Sequence, residues 1–125
     1  MVENGRKWII IGGILGFLGV ALGAFGAHGL RDSLSPDMMK IYETGVIYHL
    51  IHSVAVLAIG LAGIKKYYIA ALMFTAGVVL FSFSLYLYAV TGTLFFAIIT
   101  PVGGLSFLAG WLLIIIQAVK KSKVS

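Results

Sequence analysis

No cysteine occurs in the 125 residues, which excludes a disulfide framework, a thiolate metal site and a cysteine nucleophile. Acid is nearly as scarce. Asp and Glu total four, at Glu3, Asp32, Asp37 and Glu43, and no pair of carboxylates falls inside an apolar run for general acid–base work. No HExxH pair or phosphate-cradling loop is present, and no serine has a histidine–acid partner. Proline occurs only at Pro36 and Pro101. Charged residues make up 10% of the chain, against roughly a quarter in soluble domains. An intramembrane enzyme is therefore the least supported class, and a soluble domain is excluded.

What the chain does contain is apolar: 61% of it is hydrophobic. The apolar residues fall into four runs, about 8–28, 37–63, 69–90 and 94–119, each long enough at ~1.5 Å per residue to cross a ~30 Å hydrocarbon layer. The expected fold is an all-α membrane protein, an antiparallel four-transmembrane-helix bundle forming one domain over 1–125. A cleavable signal peptide is the rival reading of the first run, which is long for that class. Ser35-Pro36-Asp37 reads as N-cap, first-turn proline and first-turn acid of the second helix. Gly29 is expected to close the first helix as a left-handed C-cap, and Thr91-Gly92-Thr93 to form the last turn.

The net charge of +5 does not indicate nucleic acid, because the basic residues sit at the ends of apolar runs. Arg6 and Lys7, Lys65 and Lys66, and Lys120, Lys121 and Lys123 share one side if there are four crossings. Arg31 and Lys40 lie on the other side with Asp32, Asp37 and Glu43. The positive-inside rule then places both termini in the cytoplasm (N-in/C-in) of a cell membrane, inner or plasma. Expected partners are membrane lipids, with a homo-oligomer or a membrane-protein partner as further options. No metal or cofactor is expected.

Small residues repeat at helical spacing. Gly12, Gly16, Gly19, Gly23 and Gly26 fall on one face of the first helix, and Gly103, Ser106 and Gly110 repeat the pattern on the fourth. Such faces let helix backbones approach closely. The two are expected to meet each other or to serve an oligomer. Trp8, Tyr67, Tyr68 and Trp111 fit interfacial anchoring or packing.

With Thr44 taken as the outer end of the second crossing, His52 lies ~12 Å deep with Tyr48 one turn above it. Ser82, Ser84 and Tyr86 on the third helix, Thr100 and Pro101 on the fourth and His28 at the end of the first are expected to converge with them in the outer half. Intramembrane ionisable groups are functional-site candidates by default. The plainer reading has His28 capping its helix and His52 donating to Ser82, Thr100 or a freed carbonyl to lock helices together. Pro101 is expected to kink the fourth helix and free the carbonyl of Ala97. His49 and His52 at i,i+3 lack a carboxylate or thiolate at their depth and make a poor metal site.

Gly23-Ala24-Phe25-Gly26-Ala27-His28-Gly29-Leu30, Tyr48-x-x-x-His52, Phe81-Ser82-x-Ser84-Leu85-Tyr86, Thr100-Pro101-Val102-Gly103-Gly104 and Phe107-Leu108-x-Gly110-Trp111 together resemble the YgdD/YwdK-like family of small bacterial membrane proteins (domain of unknown function 423), relatives of eukaryotic transmembrane protein 256. The resemblance implies a four-helix inner-membrane protein and brings no activity with it. His28, Tyr48, His52, Ser82, Ser84, Tyr86, Thr100 and Pro101 match family-type positions, and His49 does not. Two roles stand: a non-enzymatic structural, assembly or lipid-binding protein, or a small oligomeric channel or carrier using the His/Tyr/Ser/Thr cluster.

Overall fold

Four helices are long and apolar enough to cross a membrane in the computed structural model, which describes residues 3–120. The first runs Glu3–Phe25 and continues into a π-helical turn, Gly26–Leu30. The second is Pro36–Ala62. The third comprises a 3-10 turn, Lys65–Tyr67, then Tyr68–Gly77, a π-helical turn Val78–Ser82, and Phe83–Thr91. The fourth is Leu94–Val119. Lys121 and Lys123, which entered the charge argument, lie outside the described residues.

The helix ends follow local chemistry. Ser35 accepts a 3.2 Å hydrogen bond from the Met38 N–H, and Pro36 takes the first turn, where its missing donor costs nothing. Gly63 and Gly92, both at φ 68°, end the second and third helices in the left-handed region that glycine enters without a Cβ clash. Gly29 does not act as the expected left-handed cap. It lies within the π turn, and among the described residues only Gly63 and Gly92 have positive φ. Pro101 lies inside the fourth helix, which runs from Leu94 to Val119.

Neighbours in sequence are neighbours in space: the first helix packs chiefly on the second, the second on the third, and the third on the fourth. The second and third are the more buried pair. The expected meeting of the small-residue faces of the first and fourth helices does not occur, because each face is covered by a different neighbour. On the first helix the stripe receives the second. A Cβ at Gly12 would lie 2.7 Å from the Leu57 backbone N, one at Gly19 would lie 2.6 Å from Leu50 Cδ2, and one at Gly23 would lie 3.2 Å from Val46 Cγ1. Gly26 is filled by the Tyr42 ring. Gly16 is looser, with Ser53 Cβ at 4.0 Å. Near the other end of this seam, a Cβ at Gly60 would lie 2.6 Å from the Ile9 N.

The third and fourth helices interlock reciprocally. Phe107 fills the notch at Gly77, and Phe74 fills the one at Gly110. Gly103 presses on the backbone of Leu80 and Phe81, inside the π turn. Gly45 of the second helix receives Tyr86 and the Ser82 carbonyl from the other side. The π turn is thus seated between two glycines. Its widened backbone needs that room, since any side chain at Gly103 would collide with main chain that cannot swing away.

The core is a cluster around Trp8, Val56, Phe74, Val78 and Phe107, with a second around Leu30, Tyr42 and Tyr86. Trp8 is only 6% exposed, so it packs inside the bundle and does not anchor at the lipid boundary.

Candidate functional site

The second helix carries two histidines into the bundle. His49 is fully buried, with Nε2 at 2.8 Å from the Leu15 carbonyl of the first helix and Nδ1 at 2.9 Å from the Tyr86 hydroxyl of the third. A carbonyl only accepts, so Nε2 carries the proton and Nδ1 accepts from the Tyr86 O–H. His52 has the opposite tautomer. Its Nδ1–H donates to the Tyr48 carbonyl at 2.7 Å, and its Nε2 accepts from the Trp111 indole N–H at 3.0 Å. An indole nitrogen only donates, which leaves no alternative. The His52 ring also stacks on Phe107, centroids 3.7 Å apart at 10°, with Phe74 tilted beside it at 5.2 Å.

All four ring nitrogens are thereby engaged within the protein. Neither histidine offers a lone pair to a metal ion without giving up a hydrogen bond. No cluster of three or more His, Cys, Asp or Glu that could hold one occurs among the described residues.

The remaining polar residues tie helices at separate places. Tyr42 O–H donates to the Leu22 carbonyl at 2.6 Å, joining the second helix to the first. Ser84 and Thr100 share a 2.6 Å hydrogen bond between the third and fourth, and Ser106 O–H donates to the Met73 carbonyl at 2.7 Å in the same seam. Thr100 also lies 3.1 Å from the Phe96 carbonyl. Ser82 is fully buried and its Oγ has no partner among the described residues. Tyr48 is 42% exposed, its ring against Phe81 at 4.9 Å. His28 is exposed in the π turn of the first helix.

The expected convergence on one outer-half cluster is therefore corrected. His52 bonds neither Ser82 nor Thr100, and the polar side chains divide between the first–second seam and the surfaces facing the fourth helix. The relative heights of the helices account for this. The second helix begins at Pro36, so His52 lies sixteen residues along it, ~24 Å. Trp111 lies seventeen residues after Leu94, ~26 Å, and the two are level. Two further residues, His49 and Trp111, belong to this hydrogen-bonded arrangement. An indole N–H within an apolar run needs an acceptor, and an uncharged run that holds two histidines three apart has to satisfy both.

Beside the His52–Trp111 pair a groove of about 560 Å³ runs between the second and fourth helices. Tyr48, His52, Phe81, Pro101, Phe107 and Trp111 line it, with Gly104 leaving one wall open. Its size falls in the range of small-ligand sites, roughly 300–1,000 Å³, and its lining is almost wholly apolar.

Four apolar spans, no charged residue from Thr44 to the end of the second at Ala62, and both buried histidines hydrogen-bonded within the protein define a multi-pass helical membrane protein. The profile of a family described as "Protein of unknown function (DUF423)" matches residues 22–104. The UPF0382 membrane protein YwdK of Bacillus subtilis (strain 168) is 43% identical over 120 residues, covering 92% of this chain and 98% of its own. The UPF0382 inner membrane protein YgdD of Escherichia coli (strain K12) is 40% identical over 119 residues, covering 92% and 91%. The UPF0382 membrane protein SH2409 of Staphylococcus haemolyticus is 41% identical over 119 residues, covering 92% and 97%. The chain belongs to this DUF423/UPF0382 family of membrane proteins. No solved structure matches it. The matched segment ends one residue after Gly103, so it holds His28, Tyr48, His52, Ser82, Ser84, Tyr86, Thr100 and Pro101 but not Trp111.

Proposed function

We propose that the protein is a non-enzymatic, lipid-binding structural element of the membrane, packed as an antiparallel four-helix bundle with both termini in the cytoplasm. The pairing order supports the antiparallel reading: Gly12 with Leu57, Gly19 with Leu50, Gly23 with Val46 and Gly26 with Tyr42 descend along the second helix as they ascend the first. The basic residues at Arg6, Lys7, Lys65, Lys66 and Lys120 support the orientation. The observation that carries the role is the closure of both histidines. Every ring nitrogen joins one helix backbone or side chain to another, or to its own helix, so these groups act as cross-links and are not free for proton relay or substrate binding. The groove beside them presents aromatic and aliphatic surface to the bilayer, and a lipid acyl chain is the occupant that the surrounding solvent supplies.

Native mass spectrometry of the full chain extracted gently from its own membrane tests this. Retained lipid is expected, and filling the groove with Gly104→Trp should reduce it. Protein that emerges free of lipid at the mildest activation overturns the reading. Proton flux into proteoliposomes under a pH gradient should equal that of empty liposomes. Flux above that level, abolished by His52→Ala, would establish a carrier in its place.

A further inference from the structure

A second cavity, about 400 Å³, lies between the first and second helices near the 31–35 connection, away from the His52 groove. Gly23 and Ala27 form its wall on the first helix; Met39, Val46 and Ile47 line it on the second. One charged side chain joins them, Glu43. We infer that this cavity seats an aminophospholipid, with the primary ammonium of the headgroup on the Glu43 carboxylate and the upper part of an acyl chain along Val46 and Ile47. The inference rests on the lipid-binding reading and names the headgroup.

Three features converge. Glu43 is the last charged residue before an uncharged stretch from Thr44 to Ile64. It therefore marks the polar end of that helix, on the side where headgroup amines lie. The pocket is amphiphilic in the order a lipid requires, with a carboxylate at the polar end and aliphatic side chains one turn deeper. Its shape is held rigid. Tyr42, next to Glu43, is pinned to the first helix by its bond to the Leu22 carbonyl and by its ring in the Gly26 notch. The gap between helices beside it is thus built into the seam. Lys40 lies one turn before Glu43 but does not line the cavity, which leaves the carboxylate as its charged group.

A carboxylate distinguishes headgroups by chemistry. Ethanolamine presents an N–H donor and a positive charge, choline presents charge without a donor, and glycerol presents no charge. The preference should therefore run ethanolamine over choline over glycerol. A soluble amine lacks the chain that fills the aliphatic part, so the lipid is the occupant.

The test uses the full chain in nanodiscs containing phosphatidylethanolamine, phosphatidylcholine and phosphatidylglycerol in equal amounts with identical acyl chains. Native mass spectrometry reads which lipids stay bound. The wild type should hold phosphatidylethanolamine at about fivefold over phosphatidylcholine, the equivalent of about 1 kcal/mol for a carboxylate–ammonium pair. Glu43→Gln should bring that ratio to near one with the total lipid count unchanged. Glu43→Asp should keep part of it, and Asp37→Asn all of it. Ala27→Phe, which obstructs the cavity without touching the charge, should also abolish it. Should a variant fold poorly, the wild-type ratio and competition by free phosphoethanolamine still decide. Free headgroup that displaces the lipid at matched concentration overturns the assignment, as does a preference that survives Glu43→Gln. A wild type that holds lipid without headgroup preference overturns this site and leaves the lipid-binding reading standing. A wild type that holds no lipid overturns both.

Discussion

The seam between the first and second helices and the seam between the third and fourth solve the same problem in different ways. Both bring helices close by means of glycine, since lipid supplies no hydrophobic force between them and association rests on close contact and hydrogen bonds. The first seam is one-sided along most of its length. Glycines recur on the first helix, and Tyr42, Val46, Leu50 and Leu57 of the second lie against them. The other is reciprocal: Phe107 enters at Gly77, Phe74 at Gly110, and Gly103 admits a π turn. A one-sided seam is a regular ridge in a groove and tolerates small slips. A reciprocal seam fixes register, because three notches must match at once.

The largest effect should come where glycine meets backbone. Gly103→Leu has no route to relax, because the atoms it would strike belong to the Leu80–Phe81 main chain. It should cost at least about 3 kcal/mol, read as loss of the folded species in a denaturant titration in detergent. Gly19→Leu with Gly23→Leu attacks the one-sided seam through the side chains of Leu50, His49 and Val46, not through backbone. The loss should be smaller than for Gly103→Leu alone, about 1–3 kcal/mol. If the order reverses, the contrast between the seams is wrong.

His49→Phe removes the cross-link from the second helix to both the first and the third and leaves the buried Tyr86 hydroxyl without its acceptor. It should destabilise by about 1–3 kcal/mol, and Tyr86→Phe added to it should recover part of that in a double-mutant cycle. Trp111→Phe keeps the ring against Phe74 and loses the donor to His52; about 0.6 kcal/mol is expected. The smallest change should be Gly16→Ala. A methyl there meets only Ser53 Cβ at 4.0 Å, and the gain in helix propensity should make it neutral or slightly stabilising in the same titration.

The difference between seams also explains what could be read in advance. The stripe at Gly12, Gly16, Gly19, Gly23 and Gly26 is visible because a one-sided seam writes its whole pattern on one helix at a fixed period. Gly77, Gly103 and Gly110 are divided between two helices, and the π turn shifts the faces of the third helix partway along. Periodicity within either helix alone does not reveal the match. The same holds for the histidines. That each needed hydrogen-bond partners was legible, but which partner depended on how far the second helix extends before the others begin. Counted from the helix starts at Pro36 and Leu94, His52 is level with Trp111 and not with Thr100.

Composition and local order were therefore sufficient for a membrane protein with four apolar helices, for the Ser35–Pro36 start of the second and the turn at Gly92, and for family membership, since each depends on residues close together in the chain. Only the tertiary structure decided that the small-residue faces of the first and fourth helices do not meet, that His49 bonds Tyr86, that Trp111 completes His52, and that two π turns bend the simple helical registers. The physical reason is that helix periodicity specifies direction about one axis, while a cross-link also requires the relative height of two axes. That height follows from packing among all four helices, and no single stretch encodes it.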